Sequence, residues 1–322
     1  MKFYSDKYTE KREIEPAFLI FIVIFAFGLT IYKMEQEDIQ KKESKGAHVL
    51  VSLSVYVVAF LFLSVVFSML GYIVIGLPGT SSLTLSQYAI IQSATLLAAV
   101  LPAYFILKYF DHRPLSDLGL SIKGRGRDIL YGLLAAVVLY GVGFGLSLLL
   151  GEVKVTGVQL CVVDLAGSFG VFILVALTEE IMVRGYILGR LLRTRLNKFL
   201  SLGISSVLFS LMHFFNPNVA FLPLLNLVLA GCLLGVTFLY TRNLWFPISL
   251  HLFWNWLQGP VLGYKVSGTI LCSSLLQLQF PDNNILNGGD FGFEGSIICT
   301  VLMILMTGCI IWYFERKKQM SF

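Results

Sequence analysis

The sequence predicts an all-α fold: a polytopic membrane helix bundle of eight or nine transmembrane helices. Three observations carry this. Of the 322 residues 57% are apolar and only 13% charged, where a typical soluble globular protein has about 25% charged. The mean hydropathy is +0.80. The apolar residues are gathered into runs of the length that a helix needs to cross a bilayer, about 20 residues at 1.5 Å each. This composition excludes an ordinary soluble enzyme, a disordered chain and a nucleic-acid binder. The net charge of +5, from 24 Lys and Arg against 19 Asp and Glu, fits the loops of a membrane protein better than a basic binding patch. Five scattered cysteines with no CxxC pair suggest neither a disulfide framework nor a thiolate zinc site.

The runs are 16–32, 48–76, 86–107, 129–150, 166–189, 199–215, 222–240, 244–263 and 296–314. The first is short enough to lie in the interface. The second is overlong and is expected to tilt or to extend past the bilayer. Residues 268–280 are apolar but too short to span, and read as a re-entrant or surface segment. No cleavable signal peptide is expected, since the first fifteen residues carry eight charges. The basic residues fall in every second loop. The segment 33–47 has four lysines matched by four acids; Lys108, Arg113, Lys123, Arg125 and Arg127 follow, then Arg190, Arg193, Arg195 and Lys198, then Arg242, and finally Arg316, Lys317 and Lys318. The alternate loops hold only Lys154 and Lys265. Positive-inside therefore predicts a multi-pass cell-membrane protein with a cytoplasmic C-terminus. Trp245, Trp254, Trp256 and Trp312 read mostly as aromatic-belt residues near span ends.

Of all the acids, only Glu179 and Glu180 fall well inside a run, and Arg184 follows on the same helix. A charge at mid-membrane costs about 2.5–3.5 kcal/mol on an insertion scale, so three on one helix mark a functional site. Glu180 and Arg184 are i,i+4 and can pair, which reads as structural support. Glu179 is rotated by about 100° and has no local partner; it must find one on another helix or hold a raised pKa. Two later helices carry candidates, Phe209-x-x-x-His213 and His251-x-x-x-Asn255. Counted from the nearest basic residue at 1.5 Å per residue, Glu179, His213, His251 and Asn255 lie at depths of about 16, 22, 13 and 20 Å. That is one slab near mid-bilayer, which three helices can enclose as a common cavity. Phe209 reads as packing, and Asn216-Pro217-Asn218 as a terminating turn that could border a substrate entrance.

These three motifs, Glu179-Glu180-x-x-x-Arg184, Phe209-x-x-x-His213 and His251-x-x-x-Asn255, in this order on separate helices, resemble the CPBP family. Its members are the CAAX-protease and bacteriocin-processing membrane proteins, also called the Abi family. The resemblance covers about 165–263. It divides the chain into an N-terminal transmembrane region 1–160, a CPBP-type four-helix catalytic core 165–263, and a loop with the last helix 264–322. It implies an intramembrane endopeptidase, acting on a peptide or lipidated-protein substrate within the lipid bilayer. Peptide hydrolysis needs an activated water and a stabilised oxyanion. Glu179 suits the base, His213 can co-orient the water or shuttle a proton, and His251 and Asn255 offer N–H donors to the oxyanion; the resemblance implies the same roles. Two versions stay open: metal-free, or one zinc ion held by Glu179, His213 and His251. A non-proteolytic scaffold or immunity protein, and a proton-coupled transporter, are the alternative functions.

Overall fold

The computed structural model describes residues 45–76 and 83–319. The run 16–32 lies outside them. Eight helices follow one another up and down: α1 (Lys45–Ile75), α2 (Leu85–Phe105, continued by a π turn to Phe110), α3 (Gly126–Leu149), α4 (Val162–Glu180, continued to Leu191), α5 (Lys198–Met212), α6 (Phe221–Thr241), α7 (Trp245–Trp256, continued by a π turn to Val261) and α8 (Ile297–Gln319). Their near-uniform apolarity is what lipid demands, since only a helix satisfies its own backbone there. Starts are set locally. Thr84 and Gln87 form a capping box at α2, and the Asn197 side chain accepts from the Phe199 N–H at α5. Leu149, Ile73 and Phe215 are among the large apolar side chains left facing outward.

Six of these helices are long and apolar enough to cross a membrane, and this is a multi-pass membrane protein. The runs 199–215 and 244–263 give shorter helices. α5 has 15 residues, about 22 Å at the helical rise and short of a hydrocarbon core of about 30 Å. α7 has 12 before its π turn and is buried along most of its length. Their apolarity serves the interior of the bundle as much as lipid. Among the described residues, then, the eight helices comprise six candidate spans and two shorter ones, of which α7 is buried in the bundle and α5 exposes one face.

Packing places α7 at the centre, against α3, α4 and α6; α5 lies on α6, α2 on α1 and α4, and α8 on α6. Small residues permit close approach. A Cβ on Gly231 would stand 2.7 Å from Ser206 Cα, and one on Gly132 2.6 Å from the Leu250 nitrogen. Inner serines bond across helices, Ser249 to the Ile129 carbonyl and Ser210 to the Leu224 carbonyl. Basic loops gather at one end of the bundle. At the other end a cap is formed by the chain between α7 and α8 with the α3–α4 connection, and it holds a two-stranded antiparallel sheet, β1 (Lys154–Val158) with β2 (Leu276–Gln279). The apolar stretch 268–280 is thus a surface segment that ends as an edge-paired strand.

Candidate active site

The site is built from α4 upward. Glu179 and Glu180 end its regular α-helical part, and Ile181–Leu188 is wound as a π-helix, a form that recurs at functional sites. The expected i,i+4 pair forms: Arg184 Nη1 donates to Glu180 Oε1 at 2.7 Å, both side chains fully buried. Arg184 also donates to the Gly231 carbonyl at 3.3 Å, and its guanidinium lies 4.4 Å from the Phe209 ring centre.

The pair is not self-contained, however. Glu180 Oε1 also stands 2.8 Å from His251 Nδ1. A carboxylate can only accept there, so Nδ1 carries the proton, and Glu180 fixes both the tautomer and the ring orientation of His251. Phe209 does the same for His213 through its backbone, its carbonyl accepting from Nδ1 at 2.8 Å. The spacing of Phe209-x-x-x-His213 therefore has a function beyond packing: it is the helical reach of a carbonyl to a ring.

With both Nδ1 atoms engaged, both Nε2 atoms face Glu179. His213 Nε2 lies 3.7 Å and His251 Nε2 3.9 Å from Glu179 Oε2. That oxygen is buried and has no hydrogen-bond partner. All three groups line a cavity of about 290 Å³, together with Asn255. The structure thus brings together every residue singled out in the sequence, four on the cavity and Glu180 and Arg184 behind it. The remaining lining is mainly apolar, with Val171, Phe172, Leu227 and Leu234 among it.

For zinc, Glu179, His213 and His251 stand somewhat wider apart than a bound set of ligands. Among the described residues no group of three His, Cys, Asp or Glu side chains could hold a metal ion. Ligands of a tetrahedral zinc at 2.0–2.1 Å stand about 3.3 Å apart, closer than the separations of 3.7 and 3.9 Å around Glu179 Oε2.

Residues 161–257 match the family model of the type II CAAX prenyl endopeptidase Rce1-like proteins. Over this segment the chain is similar to that family. All three motifs lie inside the matched segment, and the match bears out the resemblance to CAAX proteases and, at that level, an intramembrane protease. No curated protein and no solved structure matches the chain.

Several lining residues escaped the sequence reading. Glu294 is buried in the cap, where Oε1 accepts from Trp254 Nε1 at 2.8 Å and Oε2 from the Ser267 N–H and hydroxyl, each at 2.8 Å. It sits in an acidic stretch that reads as an ordinary loop, and nothing local shows that the loop folds back onto the core. Trp254, expected in an aromatic belt, is buried beside the site as the partner of Glu294; Trp312 is exposed, as a belt residue would be. Gln92 of α2 lines the cavity and donates to Thr178 at 3.4 Å. As an uncharged residue it gave no signal in a search for ionisable groups. Asn216 of the expected turn also borders the cavity.

Proposed function

We propose that the protein is an intramembrane endopeptidase that hydrolyses a peptide bond in an apolar stretch of a membrane-associated peptide or lipidated protein, by a metal-free water mechanism. The observation that carries this reading is the convergence of His213 Nε2 and His251 Nε2 on the unpartnered Glu179 Oε2 within one cavity. Separations of 3.7 and 3.9 Å leave space for a water that donates to Glu179 and to His213. Glu179 takes its proton as the oxygen attacks the scissile carbonyl carbon. The oxyanion forms opposite His251 and Asn255, and collapse of the intermediate returns the proton to the departing amine.

For His251 to donate from Nε2 while Nδ1 donates to Glu180, the ring must be an imidazolium. The charge balance of the site favours this. Two carboxylates, Arg184 and one imidazolium sum to zero, whereas a neutral His251 would leave a net negative charge inside the bundle. Glu180 is then the residue that keeps the oxyanion donor charged and aimed. The cap closes the cavity at the end away from the basic loops; with those loops and the C-terminus cytoplasmic, the cap faces outward.

The test is purification of the whole chain in detergent and incubation with a panel of tethered peptides rich in Ala, Val, Leu and Phe. Cleavage by wild type that Glu179→Gln abolishes, without loss of folded protein, supports the reading. Equal cleavage by both overturns it.

A further inference from the structure

A second cavity of about 370 Å³ lies within the cap. Phe172, Val266, Thr269 and Leu271 line both this cavity and the catalytic one, so a single layer of side chains separates them. Their chemistries differ. The catalytic cavity is mainly apolar, while the outer one is mixed, with amides such as Gln159, Gln277 and Asn283 and the hydroxyls of Ser273 and Ser274 beside apolar residues such as Ile270 and Leu278. Gly263 and Gly292 bring main chain into the same lining, at φ +89° and +96°. A Cβ on Gly292 would fall 2.0 Å from the Lys265 carbonyl oxygen, so no side chain can stand there. Lys265 and Asp290 in the wall are paired at 2.6 Å, with Asn283 donating to the second Asp290 oxygen at 2.7 Å. The dividing layer is anchored to the catalytic side: Glu294 ties Ser267 to Trp254, the neighbour of Asn255 in the chain.

We propose that the outer cavity is a second substrate subsite, which takes an uncharged polar flank of the peptide whose apolar stretch lies against Glu179. The proposal rests on the proteolytic reading and deepens it. A peptide bound across the scissile bond must continue beyond the catalytic cavity, and the shared wall makes the outer cavity its nearest continuation. Main-chain and amide groups suit an extended peptide, whose own backbone supplies a donor and an acceptor at each residue. The Lys265–Asp290 pair neutralises itself, so this wall offers a charged flank no unpaired counter-charge.

Three fluorescent peptide pools test this on the full chain in nanodiscs. The first is a core of five residues drawn from Ala, Val, Leu and Phe. The second adds four residues drawn from Ser, Thr, Asn and Gln, and the third four drawn from Asp, Glu, Lys and Arg. Binding is read by anisotropy to Glu179→Gln, which leaves bound peptide uncut. The polar-flanked pool binds about tenfold more tightly than the core pool, and the charged-flank pool gains nothing. Gln277→Trp and Ile270→Trp, both in the lining of the outer cavity and neither in that of the catalytic one, are two variants in case one folds poorly; each removes the gain and leaves core binding unchanged. Equal binding of the first two pools, or a gain that survives both substitutions, overturns the subsite. Failure of wild type to cut a peptide bound in this flank-dependent way would instead overturn the proteolytic reading and leave the subsite standing.

Discussion

The two halves of the cavity wall are built on different principles. The motif half, on α4, α5 and α7, holds its polar groups by interactions within a helix or between neighbouring helices: Glu180 with Arg184, Phe209 with His213, Glu180 with His251. The cap half, from Val266 to Glu294, is held by contacts between segments remote in the chain, such as Glu294 to Trp254 and β1 to β2. Burial of charge is also handled differently. In the motif half each buried carboxylate has a cation or a potential cation beside it. In the cap Glu294 has only neutral donors, three of them, whose charge-assisted bonds take the place of a counter-ion. A reacting centre needs charges whose sum is fixed; a wall needs only to be satisfied.

Substitutions at four positions sharpen this contrast, in falling order of effect. Arg184→Ala leaves Glu180 buried without its guanidinium and costs about 3–5 kcal/mol, read as a large drop in thermal stability in detergent. Survival at wild-type stability would show that the motif half does not depend on charge balance. Next, Asn255→Ala lowers kcat by about 10²–10³, as loss of one oxyanion donor does, with little change in unfolding temperature; Asn255→Asp is worse, because an anion beside the oxyanion repels it. An active Asn255→Ala enzyme would remove Asn255 from the site. Glu294→Ala strips the partner from Trp254 and Ser267 and costs about 1–3 kcal/mol, with KM affected more than kcat. An effect on kcat alone would place Glu294 with the reacting groups rather than with the wall.

The smallest effect belongs to the cap surface. The hydrogen bond and charge of Lys265 hold the Asp290 carboxyl below the usual carboxylate range. The stabilisation this brings is therefore present above the unfolded carboxylate pKa of about 3.9 and is lost as pH falls through the lower folded value. Asp290 is exposed, so Asp290→Asn should change thermal stability at neutral pH only slightly and narrow the difference between wild type and variant at acid pH.

This division also explains what was legible in the sequence. Glu179, Glu180 and Arg184 stood out because charges are costly in an apolar run, and helical periodicity alone paired the last two. The i,i+4 spacing gave Phe209 and His213 a shared face, though not the carbonyl-to-ring bond. That Glu180 serves His251 as well was invisible, since 71 residues separate them and only the packing of α4 on α7 brings them together. The helix order was readable from hydropathy. Yet apolarity does not distinguish a long span from the shorter helices α5 and α7, so hydropathy gave their order but not their length. The cap stayed hidden for the opposite reason: Glu294, Ser267 and the glycines lie in segments without periodicity, and their roles come entirely from tertiary contact.

The central claim, that Glu179 activates water without a metal, is tested most directly by measuring cleavage and bound metal in the same metal-depleted sample of purified wild type. The account predicts that turnover stays at the undepleted rate when metal has fallen far below one ion per chain, and that strong chelators leave it unchanged. Turnover that falls in proportion to the metal removed, and returns with added zinc, would contradict it.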